Sequence, residues 1–304
     1  MFVGHALLAF ALAVRGARRF SVPRARALRY GVVAGAFAAI PDIDVVYAPV
    51  GLLVRSVDTV GPDVFWETVN VIHRGPTHSL VMAAVLVAAV GCWSRGGRLS
   101  RLLAVALGAS LVAVATAFSG SVGGVVVLVF VLAAFAVAAA AARAGVEPTP
   151  ILALAAVGLL SHPLGDLFTG SPPALLYPLD MTLVAERIAL HPDPTGHLLA
   201  AFAVELGTVW LAVWTSARVS GVSLAELVNP RAALGAGYAG AALLLPAPTL
   251  EQSAHFVFSV LAIGVVGAPT RPFSRGVDWR EVVATGLSAV TIGAVAYALA
   301  YGLL

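Results

Sequence analysis

Long apolar runs are the feature that most constrains this sequence. A helix needs about 20 consecutive apolar residues to cross the hydrocarbon core of a bilayer, and several runs reach or approach that length. Hydrophobic residues make up 60% of the 304 residues and charged residues only 11%, which is too little charge to cover a water-soluble protein of this size. The runs fall at residues 2–14, 30–54, 77–92, 102–118, 122–142, 150–168, 197–217, 232–246, 253–268 and 282–303.

The residue types within the runs favour helices over a barrel. Alanine, glycine and leucine dominate, and small residues let membrane helices pack closely, whereas a barrel shows segments of about ten residues with alternating hydrophobicity. We therefore predict an all-α fold, a polytopic helical membrane protein with about eight to ten membrane-embedded helices. Residues 1–196 are expected to form the domain that carries chemistry, and residues 197–304 to add further transmembrane helices.

The arginines give an independent prediction of topology. All 18 basic residues are arginine, and 15 of them lie in alternate loops between the runs; only Arg55, Arg74 and Arg187 lie in the other set. The positive-inside rule places the arginine-rich loops in the cytoplasm and the other loops outside a multi-pass cell-membrane protein. The arginines cluster in short loops rather than on a nucleic-acid-binding face, so no nucleic acid partner is predicted, whereas the apolar composition predicts membrane lipids as partners. The oligomeric state is left open.

Polar residues that suit metal binding gather at the predicted outer edge. "PDIDVVYAP" at 41–49 carries Asp42 and Asp44, and two ionised carboxylates in an apolar stretch are costly to bury without a partner. The alternative is that they only cap a turn. His5, near the N-terminus, falls at the same predicted level.

Two more histidines lie in "HRGPTH" at 73–78. Gly75 and Pro76 break the backbone, so the loop can turn His73 and His78 toward one point, and Thr77 is expected to cap the following helix. Arg74 suits an anionic, phosphate-bearing substrate. The alternative is a pair of interfacial histidines in a wet loop.

"SHPLGD" at 161–166 adds His162 and Asp166, which share one face if the segment is helical. A buried His–Asp hydrogen bond without metal is the alternative. The mixed nitrogen and oxygen donors favour zinc, manganese or iron over calcium or magnesium. The candidate ligands exceed what one tetrahedral ion needs, so one or more ions fit: His5, Asp42, Asp44, His73, His78, His162 and Asp166.

The motifs "GHALLAFAL", "PDIDV", "HRGPTHSL", "SHPLGDLFTG" and "LLYPL" resemble, in order and character, those of the YdjM-type inner-membrane metal-dependent hydrolases. The resemblance covers roughly residues 1–180 and leaves the runs after about residue 197 outside. The resemblance implies a helical membrane protein from a family described as hydrolases. It also implies a distant kinship to zinc-dependent phospholipase C. The same seven residues match its motif positions; Ile40 stands where the family usually has leucine.

These observations predict a membrane-embedded metal-dependent hydrolase acting on an ester or phosphoester, with a lipid or lipid-linked substrate suggested by the interfacial position. We expect zinc first, with manganese or iron as alternatives, at the extracytoplasmic face. Asp44, His78 and Arg74 are the predicted catalytic residues. Two other functions stay open: a transporter or channel that binds a cation through the His/Asp cluster, and a non-catalytic structural membrane protein.

Overall fold

Helices account for all the regular secondary structure in the computed structural model, which describes residues 2–47, 73–168, 171–250, 252–268 and 278–303. No strand occurs in these ranges, so the all-α prediction is confirmed. All eight predicted site residues lie within them. The end of the second apolar run, Arg55, Arg271 and Arg275 lie outside the described residues.

Four described helices are long and apolar enough to cross a membrane, judged by length and composition. They are Arg98–Arg143, Pro148–Phe168, Pro194–Ser220 and Trp279–Gly302. Leu80–Arg95 and Ala254–Gly267 are shorter apolar helices. The membrane character predicted from hydropathy is therefore reproduced by helices of sufficient length.

The chain divides into two compact units, Met1–Arg187 and Ile188–Leu304. The domain boundary expected between residues 196 and 197 stays a prediction. In the first unit the α-helices are α1 (Phe2–Arg19), α2 (Arg24–Ala39), α3 (Leu80–Arg95), α4 (Arg98–Arg143) and α5 (Pro148–Gly165). Three short 3-10 helices accompany them, at Pro41–Tyr47, Pro76–His78 and Asp166–Phe168.

Helix α4 is a hairpin of two helices rather than one straight rod. Its backbone leaves the helical region at Gly120, where φ is 70°, a conformation that glycine adopts without a steric penalty. The two halves then run back along each other, since Gly108 lies against Val131. The two apolar runs predicted at 102–118 and 122–142 correspond to these halves.

Helix α5 packs against α1, α2 and α3 and brings the site residues of α5 close to α2. Gly158 makes the approach tight: a Cβ atom there would lie 2.6 Å from the carbonyl oxygen of Ala34 and 2.7 Å from the amide nitrogen of Ala38. His162 follows one helical turn later, so this contact sets its distance from the C-terminal end of α2.

The site residues lie at the end of the first unit opposite the arginines of the α1–α2, α3–α4 and α4–α5 connections. His5 is near the start of α1, Asp42 follows the end of α2, and His162 is near the end of α5. At the other end, Arg29 Nη1 donates to the carbonyl oxygen of Ala144, which joins the start of α2 to the α4–α5 loop. This arrangement agrees with the alternation of arginines along the sequence.

The second unit contains α6 (Pro194–Ser220), α7 (Leu224–Leu227), α8 (Ala241–Leu244), α9 (Ala254–Ala262) and α10 (Trp279–Leu303), with 3-10 helices at Pro230–Gly240 and Ile263–Gly267. Its core includes Leu198, Phe256, Val260, Val290 and Tyr297. The apolar run at 232–246 is a 3-10 helix followed by one short α-helix rather than one continuous α-helix. Its glycines at 235, 237 and 240 disfavour a continuous α-helix there.

Candidate metal centre

The seven predicted metal ligands lie together at one end of the first unit. They come from four separate segments: the start of α1, the 3-10 helix after α2, residues 73–78, and the end of α5. His78, His162 and Asp44 are buried, and so are His5 and Asp166. Two groups of three have ligand atoms within 4.8 Å of one another: His5, His162 and Asp166, and Asp42, His73 and His78.

Four side-chain atoms meet at the centre of the cluster. His78 Nε2 lies 3.1 Å from His162 Nε2, 3.5 Å from Asp42 Oδ1 and 3.2 Å from Asp166 Oδ2. His162 Nε2 lies 3.4 Å from Asp42 Oδ1 and 3.6 Å from Asp166 Oδ2. Two ligands of one tetrahedral zinc ion, with bonds of about 2.0–2.1 Å, are about 3.3 Å apart. The spacing of these atoms therefore suits ligands of a single ion.

The other ring nitrogens of the two central histidines are already engaged. His162 Nδ1 donates to the carbonyl oxygen of Ala38 at 2.6 Å. Thr77 Oγ1 donates to Asp44 Oδ2 at 3.0 Å, so its oxygen accepts from Nδ1 of His78 at 2.9 Å. A histidine that donates through Nδ1 presents the lone pair of Nε2, the form that binds metal.

Asp166 divides its two oxygens between support and binding. Oδ1 lies 3.1 Å from His5 Nε2 and 3.5 Å from Arg74 Nη2. Oδ2 is buried and lies 3.2 Å from His78 Nε2, which can donate to it only when both ring nitrogens of His78 carry protons. When His78 is neutral, this oxygen has no donor among the described residues, and a cation would satisfy it. The donor set and this oxygen fit a divalent transition metal.

Asp42 and Asp44, both in the 3-10 helix after α2, contact the cluster in different ways. Asp44 Oδ1 accepts from His73 Nδ1 at 3.1 Å, and Oδ2 lies 3.4 Å from His78 Nδ1. Asp44 is completely buried, whereas the side chain of Asp42 is 13% exposed. Asp44 thus holds two imidazoles in place, and Asp42 faces the more open side of the cluster.

His78 and Asp42 lie outside the membrane-spanning helices, and the opposite charges around them shift their pKa values. Burial alone would lower the pKa of His78, but hydrogen bonds to Asp166 and Asp42 and the charge of Asp44 outweigh it and raise the pKa to about 9. Burial alone would raise the pKa of Asp42, but hydrogen bonds with His162 and His78 hold it well below its usual range. Without metal, a proton on His78 therefore balances the carboxylates.

Arg74 lies beside the cluster and is tied to the residues around Asp166. Its backbone has a φ of 66°, and Nη1 donates to the carbonyl oxygens of Asp166 at 3.3 Å and Ser171 at 2.5 Å. With the contact to Asp166 Oδ1, its guanidinium fixes the segment that follows α5. The predicted contact of Arg74 with an anionic substrate stays a prediction.

Thr77 and Ser79 have different roles from the one expected. Thr77, predicted to cap the following helix, is buried and links Asp44 to His78. Ser79 is the cap of α3, because its Oγ accepts from the amides of Val81 and Met82. The 3-10 turn through Pro76 moves the helix start two residues along the chain, and this leaves the Thr77 hydroxyl inside the site.

Two groups that orient the site were missed by sequence reasoning. Thr77 carried a signal, as the only hydroxyl between the two histidines of "HRGPTH", but capping explained it equally well. The Ala38 carbonyl carried none, because any residue supplies a carbonyl. Outside this unit, His191 and His197 accept hydrogen bonds from the backbone amides of Asp193 and Leu190.

Comparison with known proteins places the chain in a family. The model of the YdjM inner membrane protein family matches residues 1–229, most of the chain, and the chain belongs to that family. The resemblance inferred from the motifs is confirmed, and it extends beyond the residue 180 expected, to include α6. No curated protein and no solved structure matches the chain.

Proposed function

We propose that this member of the YdjM inner membrane protein family is a metal-dependent hydrolase that cleaves an ester or phosphoester at the membrane surface. The observation that carries the proposal is that His78 Nε2 and His162 Nε2 lie 3.1 Å apart and that each lies 3.2–3.6 Å from both Asp42 Oδ1 and Asp166 Oδ2. Two imidazole nitrogens and two carboxylate oxygens this close together inside the protein repel one another unless a cation or protons bind between them.

Zinc is the first choice for the ion, with manganese and iron as alternatives, because two imidazoles and two carboxylates form a mixed donor set. Calcium and magnesium prefer oxygen ligands alone. His5 contacts Asp166, and His73 contacts Asp44. These two histidines would bind a second ion or orient the ligands of the first. A bound divalent ion supplies Lewis acidity and makes water a nucleophile near neutral pH.

The residues of the chain divide the remaining work. Asp44 orients His78 through Thr77 and also directly, and the Ala38 carbonyl orients His162. Asp42 and Arg74, each with a side chain 13% exposed, and His73, with 11%, are the groups of the site that water can reach. Arg74 attracts the anionic group of the substrate, and Asp42 would hold the ion on the side of the cluster that water reaches.

The active site is assigned to the extracytoplasmic face. This assignment is supported by the arginines around the α1–α2, α3–α4 and α4–α5 connections, which lie at the end opposite the cluster and belong in the cytoplasm by the positive-inside rule. The cluster also lies at helix ends rather than halfway along them, whereas the binding sites of many transporters lie near the bilayer midplane.

The test is the metal content and hydrolytic activity of the full-length protein purified in nanodiscs. Replacing His78 by alanine (H78A) should remove the bound metal, which inductively coupled plasma mass spectrometry measures. It should also abolish the hydrolysis of a panel of phosphodiesters and phospholipids. His191→Ala, an exposed histidine of the second unit, is the control and should keep both. Full metal occupancy in H78A, or no hydrolysis by the metal-loaded wild type, would refute the proposal.

A further inference from the structure

A cavity of about 790 Å³ opens beside the metal cluster, within the first unit. One end is lined by His73 and Arg74, which also belong to the cluster. Its volume lies within the range of sites for small molecules and cofactors, about 300–1,000 Å³. A molecule in the cavity would therefore touch the candidate site with one end.

The other wall of the cavity is formed by residues 171–185, which we name the strap. The strap has no regular helix and is tied to the site: the amide of Ala174 donates to the Arg74 carbonyl at 2.8 Å, and Ser79 Oγ donates to the Tyr177 carbonyl at 2.6 Å. These hydrogen bonds fix the position of the strap relative to residues 74–79 of the site.

The strap exposes large apolar side chains into this cavity. Leu179 is 54% exposed, Met181 66% and Leu183 63%, and all three line the cavity. The strap bends at Leu179 and again at Leu183, and these bends keep the three side chains around one cavity. Exposed apolar side chains grouped around a cleft mark a surface that an apolar ligand covers.

The cavity also borders the tip of the α4 hairpin. Ser119 and Val122, on either side of Gly120, line it, and Ser119 Oγ lies 2.9 Å from the Tyr177 hydroxyl. Both halves of α4 are apolar and belong to a segment able to cross the membrane. A hydrocarbon chain can therefore reach the cavity from the bilayer along this hairpin.

We infer that the cavity binds an amphiphilic phosphoester, a lipid whose phosphate lies at His73 and Arg74 and whose hydrocarbon chain lies along Leu179, Met181 and Leu183. The polarity of the two ends fixes this direction, because the acidic Asp180 lies on the strap with the apolar side chains and would repel a phosphate there. The inference rests on the proposed function for what happens to the ligand, but the binding itself does not require hydrolysis.

The test measures binding without turnover. Radiolabelled dodecyl phosphate, butyl phosphate and inorganic phosphate are each equilibrated with the full-length protein in nanodiscs, and binding to empty nanodiscs is subtracted. Dodecyl phosphate should bind at least about tenfold more tightly than butyl phosphate, because burying even one leucine-sized surface corresponds to that factor. Inorganic phosphate should bind no more tightly than butyl phosphate.

The variant Met181→Ser/Leu183→Ser should lose the preference for the long chain and keep the wild-type affinity for butyl phosphate. Leu99→Ser, at a leucine near the arginine-rich end that is exposed to 81%, is the control and should keep the preference. Retention of the preference in the double variant, or equal binding of all three phosphates, would overturn the inference. A wild type that binds dodecyl phosphate but hydrolyses no lipid would refute only the hydrolase.

Discussion

Thr77 Oγ1 donates a 3.0 Å hydrogen bond to Asp44 Oδ2, and through it Asp44 holds His78, although Asp44 and Thr77 lie 33 positions apart in the sequence. The same carboxylate contacts His73 through its other oxygen. Asp44 is buried, and its contacts with both imidazoles are made at Nδ1. Its contribution is therefore expected to be to the orientation and basicity of the ligands.

Replacing Asp44 by asparagine should weaken metal binding without abolishing it. Loss of a carboxylate that orients a metal-bound histidine typically reduces metal affinity about 10–100-fold. Competition with a chromogenic zinc chelator measures the affinity. The exposed Asp180→Asn is the control and should bind zinc as the wild type does. An affinity unchanged in Asp44→Asn would show that Asp44 does not support the site.

Replacing Gly158 by alanine should damage both stability and metal binding. The added methyl group would lie 2.6 Å from the Ala34 carbonyl oxygen, so α5 must move away from α2 and carry His162 with it. Overpacking of this kind costs about 1–3 kcal/mol of the free energy of unfolding. The thermal midpoint and the zinc affinity are measured together.

Gly207→Ala is the matched control for this substitution, since a Cβ atom there meets nothing within 4 Å and position 207 is inside a helix. It should leave the thermal midpoint unchanged or raise it slightly, because alanine favours the helix over glycine. If Gly158→Ala bound zinc with wild-type affinity, the close approach of α5 and α2 would not control the position of His162.

The affinity for zinc should rise with pH up to about 9. The pKa of His78 is raised to about 9 from an ordinary 6.5, so in the metal-free protein it keeps its proton through neutral pH. That proton stabilises the metal-free fold fully below pH 6.5, and the stabilisation is lost as the pH rises through 9. Zinc must displace the proton in order to bind.

Titration calorimetry in buffers of different ionisation enthalpy measures the protons released per zinc. Near pH 7 at least one proton should be released, and fewer as the pH passes 9. The thermal midpoint of the metal-free protein should fall over the same range, while that of the zinc-bound protein should change less. Zinc binding that releases no proton at pH 7 would contradict a protonated His78.

The predicted topology can be tested with single cysteines in a Cys92→Ala background. Ala174→Cys lies at the site end and Ala25→Cys in the arginine-rich end, and both positions are exposed. A maleimide that does not cross membranes should label Ala174→Cys in intact spheroplasts and Ala25→Cys only after lysis. The opposite pattern would place the metal cluster in the cytoplasm.

Much of this protein was determined by its sequence alone. Hydropathy is summed over consecutive residues, so the apolar runs predicted the helical membrane fold and the two halves of α4. The family followed from five short motifs in order. The candidate ligands could be named because histidine and aspartate are expensive in apolar surroundings and stand out there.

Only the tertiary structure decided which of these atoms face each other. His78 and His162 meet at Nε2 because Gly158 lets α5 approach α2 and because the Ala38 carbonyl holds the ring of His162. The cap at Ser79, the link through Thr77 and the short helices at 230–244 likewise depend on local geometry. Sequence spacing gives positions along one segment, whereas a metal site is defined by distances between segments.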